Sequence, residues 1–392
     1  MDNREIIDSI RRRRQPHLPY VMGSLVGGAV GDALGYPVEF MSYASIQAQF
    51  GAQGIRSYWL DRTGGVALFS DDTQMTLFTA AGLLEAVTCD PVGLSREVVA
   101  NHVYRAYLDW LHTQDHLFVS NPGASQLVDV PELQHRRAPG NTCLSALYSG
   151  QMGTIEAPLN NSCGCGGVMR VAPVGLLGDD GILRRAWAYA ADVAAITHGH
   201  PMGYIPAAAL AQLVSLLVMD RSQGASLERA VSSVIEGLPR WFADQREHAD
   251  DMASHLRRAA ALAAGVEPDY DCVVQLGEGW VGDEALAIAV FCCLRHPDSF
   301  DEAVIAAVNH GGDSDSTGAV AGNIMGAYLG IDAIGPHWTE HLELRGLIEG
   351  LARDLCEGCL GVDERGWCND AAWLDRWARH PIGSLAVVRE NS

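Results

Sequence analysis

At 392 residues the chain is long enough to bury a large core, as one big domain or two smaller ones. Its 48% hydrophobic composition and formal net charge of −21 describe a globular protein and exclude the basic balance of a nucleic-acid binder. No segment has the layout of a secretory signal, and no apolar stretch of roughly 18 residues runs without polar interruption, so a cytoplasmic protein with no membrane partner is expected.

The first feature in chain order is the basic run Arg11, Arg12, Arg13 and Arg14 within an N-terminal arm, 1–18. A short charge run of this kind is ordinarily a solvated helix face or a frayed end, with contact to an acidic partner as the alternative. From residue 19, apolar residues recur at helical spacing over 19–35, 72–88, 96–112, 183–197, 203–219, 251–265, 283–295, 300–309 and 315–330. Alternating, strand-like stretches are scarce, so an all-α fold is predicted. Between these runs, 114–142 holds no period and carries turn signals at Asn121-Pro122-Gly123 and Pro139-Gly140-Asn141. Loops of that length are often functional. Near 355 the main domain, 19–355, gives way to a polar, loop-rich extension, 356–392, expected to pack on or near it rather than to form a second domain. The ten cysteines, including the adjacent Cys292 and Cys293, are scattered without a disulfide framework and are expected to be reduced.

Two glycine stripes stand out: Gly23, Gly27, Gly31 and Gly35, then Gly318, Gly322, Gly326 and Gly330. Each stripe falls on one helix face. Glycine costs about 1 kcal/mol relative to alanine inside a helix, so the stripes imply close backbone approach, with the two helices central and packed on each other or on a common neighbour. Asp32 and Asn323 interrupt both segments, which argues against a pair of membrane helices.

Acidic clusters sit where two helices begin. Ser70-Asp71-Asp72-Thr73 precedes the apolar run from Met75, and Asp313-Ser314-Asp315-Ser316-Thr317 follows Gly311-Gly312 and precedes the second glycine stripe. One such side chain suffices to cap a helix. Four carboxylates with flanking hydroxyls exceed that need and suit a hard cation. Each like-charge pair brought to roughly 4 Å repels by about 4 kcal/mol at an effective dielectric of about 20, so divalent ions would be required to keep all of them charged. Oxygen-only donors favour Mg²⁺, Mn²⁺ or Ca²⁺ over zinc, and neither cluster has the continuous loop of an EF-hand.

Five ordered elements carry a resemblance: Gly31-Asp32-Ala33-Leu34-Gly35 with Pro37 and Glu39; Ser70-Asp71-Asp72-Thr73; Gly164-Cys165-Gly166-Gly167-Val168-Met169-Arg170; Thr197-His198-Gly199-His200-Pro201; and Gly312-Asp313-Ser314-Asp315-Ser316. Over roughly 20–330 the chain resembles the ADP-ribosylglycohydrolase family, whose members are compact orthogonal helical bundles. The resemblance implies a two-ion site, two Mg²⁺ with Mn²⁺ as the other fit, held by Ser70, Asp71, Asp72, Asp313, Asp315 and Ser316. It implies catalytic roles for Glu39, on a mobile loop, and for Asp72 and Asp315. Gly164, Gly166 and Gly167 would offer backbone N–H groups to a diphosphate, with an ordinary turn as the plain alternative. His198 would contact ADP-ribose, or it and His200 would simply complement a helix end. Trp280 would stack on adenine or ribose, unless it is a core tryptophan. Ser70 stands where relatives often carry Thr, and Cys163 where a polar residue is common.

The expected reaction is metal-assisted hydrolysis of the bond between ADP-ribose and an acceptor, most directly arginine on protein, with serine-linked or O-acetyl-ADP-ribose next. The oxocarbenium-like transition state would gain from nearby carboxylates. A rival from another class is an immunity-type protein that neutralises an ADP-ribosyltransferase toxin through the 1–18 arm. A third reading places zinc on Cys356, Cys359, Cys368 and His380, although the spacing matches no strong zinc signature.

Overall fold

The computed structural model describes residues 9, 12–89, 94–118, 124–178, 182, 184–219, 226–358, 361 and 368–379. Arg11, Asn121-Pro122-Gly123, Cys359, Trp367 and His380 lie outside the described residues. The described chain is all-helical: α1 Leu18–Gly35, α2 Tyr43–Phe50, α3 Asp71–Cys89, α4 Arg96–Gln114, α5 Asn141–Tyr148, α6 Ala186–Ala195, α7 Pro201–Met219 and α8 Leu227–Trp241. The second half follows with α9 Arg246–Ala263, α10 Asp269–Val273, α11 Gly282–Arg295, α12 Phe300–Val308, α13 Ser314–Leu329, α14 Pro336–Thr339, α15 Arg345–Glu357 and α16 Ala371–Trp377. Extended pairing among the described residues is confined to two isolated bridges, Ala67 with Leu342 and Gly164 with Val281.

The two glycine stripes meet. α1 and α13 run antiparallel, with Gly23 facing Gly326, Gly27 facing Gly322, Gly31 facing Gly318 and Gly35 facing Ser314. A methyl group at any of these glycines would overlap the opposite backbone carbonyl. The seam therefore exists because the side chains are absent, and the short separation suits Cα–H···O contacts. Ser24 Oγ donates to the Asn323 carbonyl at 3.0 Å, and Asn323 Nδ2 donates to the Ser24 carbonyl at 2.9 Å. The polar residues that interrupt the stripe on the Asn323 side thus knit it together.

Around this pair, α12 and α11 pack on α13, α15 packs on α1, and α3 packs on α4. The helices begin on side-chain caps where the sequence supplies them, as Ser95 does for Val98 N–H and Ser299 for Glu302 N–H, both at 3.2 Å. α7 is long and apolar enough to cross a membrane by length and composition, but 83% of its apolar window is buried among other helices, the position of a core element. α15 runs through residue 355, so the expected boundary there falls inside a helix.

Beyond it, α16 lies on the end of α3: Trp373 Nε1 donates to Thr88 Oγ1 at 2.7 Å, and Arg379 forms ion pairs with the buried Glu85 and Asp109. At the other end of the chain, Arg14 donates to the Glu357 carbonyl at the C-terminus of α15, where a cation complements the helix dipole. Every cysteine among the described residues is a free thiol, and Cys356 is buried against the Arg14 carbonyl at 3.5 Å.

Candidate active site

Antiparallel packing of α1 and α13 brings the C-terminus of α1 to the N-terminus of α13. The N-terminus of α3 joins them through Asp32. From within α1, Asp32 accepts the Ser70 N–H at 2.8 Å, the Thr73 N–H at 2.9 Å and the Thr73 hydroxyl at 2.5 Å. A carboxylate from one helix thus caps another, placing the two acidic helix starts side by side. Nothing in the local sequence distinguishes Asp32 from a simple interruption of the glycine stripe, and this role was missed.

Glu39 follows the short turn Tyr36–Val38 at the end of α1, its N–H bonded to the Gly35 carbonyl at 3.0 Å. Carboxylate oxygens of Glu39, Asp313 and Asp315 all lie within 4.8 Å of one another. Asp313 caps α13, and the Ser316 N–H donates to Asp315 Oδ1 at 3.0 Å. On α3, Asp71 accepts the Gly140 N–H at 3.2 Å, whereas Asp72 is 3% exposed and its Oδ2 has no hydrogen-bond partner. Ser70 and Ser316 stand at the same two helix starts, and the Asp72 N–H donates to Ser70 Oγ at 3.2 Å. Behind Asp71, the Arg137 carbonyl accepts its N–H at 3.0 Å, while the Arg137 guanidinium grips the Phe69 carbonyl and forks onto Glu343.

The electrostatics are those of crowded, buried carboxylates. Burial first, and then the Asp315 charge, push Asp71, Asp72 and Asp313 well above the ordinary carboxylate range. The same two causes raise Asp32 to about 7, and burial with Asp315, Asp313 and Asp71 raises Glu39 to about 10. Protons or cations must stabilise such a group. The buried orphan Oδ2 of Asp72 and the likewise unpartnered Oε2 of Glu39 leave oxygen donors aimed at nothing else. The donor set fits hard divalent cations.

The glycine loop adjoins this cluster. Cys165 donates its thiol to Asp313 Oδ2 at 2.8 Å. Two of the loop's N–H groups are already engaged, Gly164 with Ser162 Oγ at 3.3 Å and Cys165 with the Trp280 carbonyl at 3.1 Å, so any oxyanion cradle falls to Gly166 and Gly167. A side chain at Gly166 would strike the His198 ring, which lies beneath the loop. His198 is 1% exposed, accepts or donates to Thr197 Oγ1 at 2.8 Å, and is held near 3 by burial and by Arg170. Its ring packs against Gly164 and Gly166 of the loop. His200 points elsewhere, edge-on to His248.

Trp280 is not a core residue: it is 37% exposed and stacks on Phe40, the residue after Glu39. Cys165 and Phe40 join Asp32 as site residues that sequence reasoning passed over. Cys165 was hidden within a glycine motif, and Phe40 is a lone aromatic without a pattern around it.

The sequence signature of ADP-ribosylglycohydrolases matches residues 14–364. The chain is 28% identical over 331 residues to the ADP-ribosyl-[dinitrogen reductase] glycohydrolase of Rhodospirillum rubrum, covering 83% of this chain and 90% of that protein. An uncharacterized protein of Archaeoglobus fulgidus is 29% identical over 337 residues, covering 85% and 94% respectively. Among solved structures, an ADP-ribosylglycohydrolase-related protein complex superposes with a TM-score of 0.60 at 25% identity, covering 88% of this chain and 98% of that one.

Proposed function

Because this chain belongs to the ADP-ribosylglycohydrolase family and is a hydrolase of ADP-ribosyl bonds, we propose that it cleaves ADP-ribose from arginine on protein in a reaction that depends on Mg²⁺. The observation that supports the metal requirement most directly is the meeting of Glu39, Asp313 and Asp315 oxygens within 4.8 Å, beside the unpartnered Oδ2 of Asp72. Ser70, Asp71, Asp72, Asp313, Asp315 and Ser316 would hold two ions. Bound there, the ions would supply Lewis acidity toward a ribose hydroxyl and a water molecule.

The chain's own residues do the rest. Asp32 holds the start of α3 so that Asp71 and Asp72 keep their direction. Glu39, whose carboxylate meets Asp313 and Asp315, would exchange a proton with the leaving group or with the attacking water. The N–H groups of Gly166 and Gly167 would be the ones to meet a diphosphate, and the exposed Trp280 would offer a ring face to the base or ribose. Closely spaced carboxylates favour the cationic character that develops at the anomeric carbon.

The test is release of ADP-ribose from arginine-ADP-ribosylated protein, with Mg²⁺ or with chelator, comparing the wild type with Asp315→Ala. Release that needs the metal and is lost in the variant is expected. Failure on this substrate, with activity on serine-linked or O-acetyl-ADP-ribose, would move the acceptor and keep the chemistry. Activity on none of the three would favour the toxin-binding role. Arg14 is engaged at the end of α15, which leaves less of the basic run for such a partner.

A further inference from the structure

Arg170 closes the glycine motif, yet its charge is buried without a counter-ion. The side chain is fully buried, and among the described residues no carboxylate pairs with it. Nη1 reaches the sulfurs of Met75 and Cys143, both at 3.3 Å, the guanidinium lies 4.3 Å from the centre of the Tyr107 ring, and Nε has no partner. Its one strong acceptor is Thr197 Oγ1, 2.6 Å from Nη2. Burying an unpaired cation is costly, so packing alone gives no reason for arginine at this place.

The bond to Thr197 carries a direction. An arginine only donates, so the Thr197 oxygen accepts from it, and the hydroxyl keeps a single hydrogen to give. His198 Nδ1 stands 2.8 Å from that oxygen and is a better acceptor than the neighbouring Cys143 sulfur. With Nδ1 accepting, the one proton of the neutral ring belongs on Nε2. That nitrogen faces the glycine loop: it lies 3.0 Å from where a Cβ at Gly166 would be and 3.5 Å from one at Gly164. Nothing among the described residues accepts a hydrogen bond from Nε2, and glycine at these two positions keeps open the space it faces.

We propose that Arg170, acting through Thr197, is a positioning residue: it fixes the tautomer of His198 so that a neutral Nε2–H donor faces the glycine loop and holds the substrate's diphosphate there. The contact with substrate rests on the reading of that loop as the diphosphate seat. The tautomer does not, and it is measured without any ligand.

Full-length protein labelled with ¹⁵N-histidine is recorded by long-range ¹⁵N–¹H correlation, with His198→Gln to identify the ring signals and thermal unfolding to check each variant. The wild type is expected to show His198 wholly in the Nε2–H form, its Nδ1 signal displaced as that of a hydrogen-bonded acceptor. Thr197→Val should return Nδ1 to the position of a free lone pair. Arg170→Met leaves Thr197 able to accept from the ring and should bring in the Nδ1–H form, whereas Arg170→Lys, whose ammonium also only donates, should suppress it. An Nδ1–H ring in the wild type, or identical ring signals in the wild type and a folded Arg170→Met, would overturn the proposal; the wild-type spectrum decides even where a variant fails to fold. Saturating ADP-ribose should then move the Nε2 proton downfield, and Thr197→Val should raise KM roughly tenfold while lowering kcat less. An Nε2 proton indifferent to ADP-ribose would overturn the diphosphate contact and leave the Arg170–Thr197–His198 relay standing.

Discussion

The rings of Phe40 and Trp280 stack with centroids 5.4 Å apart and planes 19° from parallel, tying the residue after Glu39 to the residue whose carbonyl accepts the Cys165 N–H. Phe40 has φ of 65°, a region a bulky residue seldom enters, and it is 72% exposed. Such an aromatic pair contributes about 0.5–1.5 kcal/mol. Phe40→Ala should therefore release Glu39 and lower kcat by roughly 2- to 10-fold, while Phe40→Tyr keeps the rate. Steady-state kinetics would decide it, and an unchanged kcat in Phe40→Ala would refute the tether.

The seam and an open glycine make a matched pair of alanine substitutions. Gly322→Ala would drive a methyl into the Gly27 carbonyl, backbone against backbone, so a loss of at least about 3 kcal/mol is expected. Gly350 lies inside α15 with no atom within 4 Å of a would-be methyl, and Gly350→Ala should stabilise by about 0.5–1 kcal/mol. Denaturant unfolding of both variants tests the contrast.

What the sequence disclosed and what it hid follow from the range of each signal. Repeats at i+4 and the two acidic helix starts are local patterns, and they marked the seam and its carboxylates in advance. α2 was missed because only Ile46 of its eight residues is buried, leaving no period to read. α8 was also missed: Leu227, Val231, Val234, Ile235 and Leu238 recur at helical spacing on its buried face, but Pro239 inside it argues against a helix. The tail was read as loop although Trp373 and Trp377, one turn apart, mark the inner face of α16. Arg137 and Glu343 stand 206 residues apart, and no local rule pairs them.

Arg379 tests whether the chain past the family signature matters to the domain. It sits between Glu85 and Asp109, both almost wholly buried. Removing one partner of a buried charge cluster costs about 3–5 kcal/mol. Arg379→Met should approach that loss, and Glu85→Gln in the same chain should recover part of it. A melting temperature unchanged in Arg379→Met would show that solvent already screens the pair.

The raised carboxylates set a pH dependence with a definite sign. Glu39 rises from 4.5 to about 10, Asp32 from 3.8 to about 7 and Glu85 from 4.5 to about 7, all with burial as the main cause. In each case the folded state holds a proton that the unfolded state has released. Their contribution is thus fully present below the unfolded value and lost as pH rises through the folded one. Chelator-treated protein should melt progressively lower between about pH 5 and about pH 8.5, and Mg²⁺ should restore most at the alkaline end. Calorimetry across that range with and without Mg²⁺ is the check; a melting temperature that climbs with pH in chelator would contradict it.

The antiparallel seam also has a temporal side. α1 leaves the ribosome almost 300 residues ahead of α13, the helix that receives its glycine face. During synthesis the first helix therefore waits without its mate, apolar and bare, while the intervening helices assemble around an unfilled centre. Contacts this distant in the chain close slowly, and chains held open are prone to stick to one another. Nascent chains halted before α13 should accordingly be the species that chaperones hold, and completion of that helix the moment at which they let go.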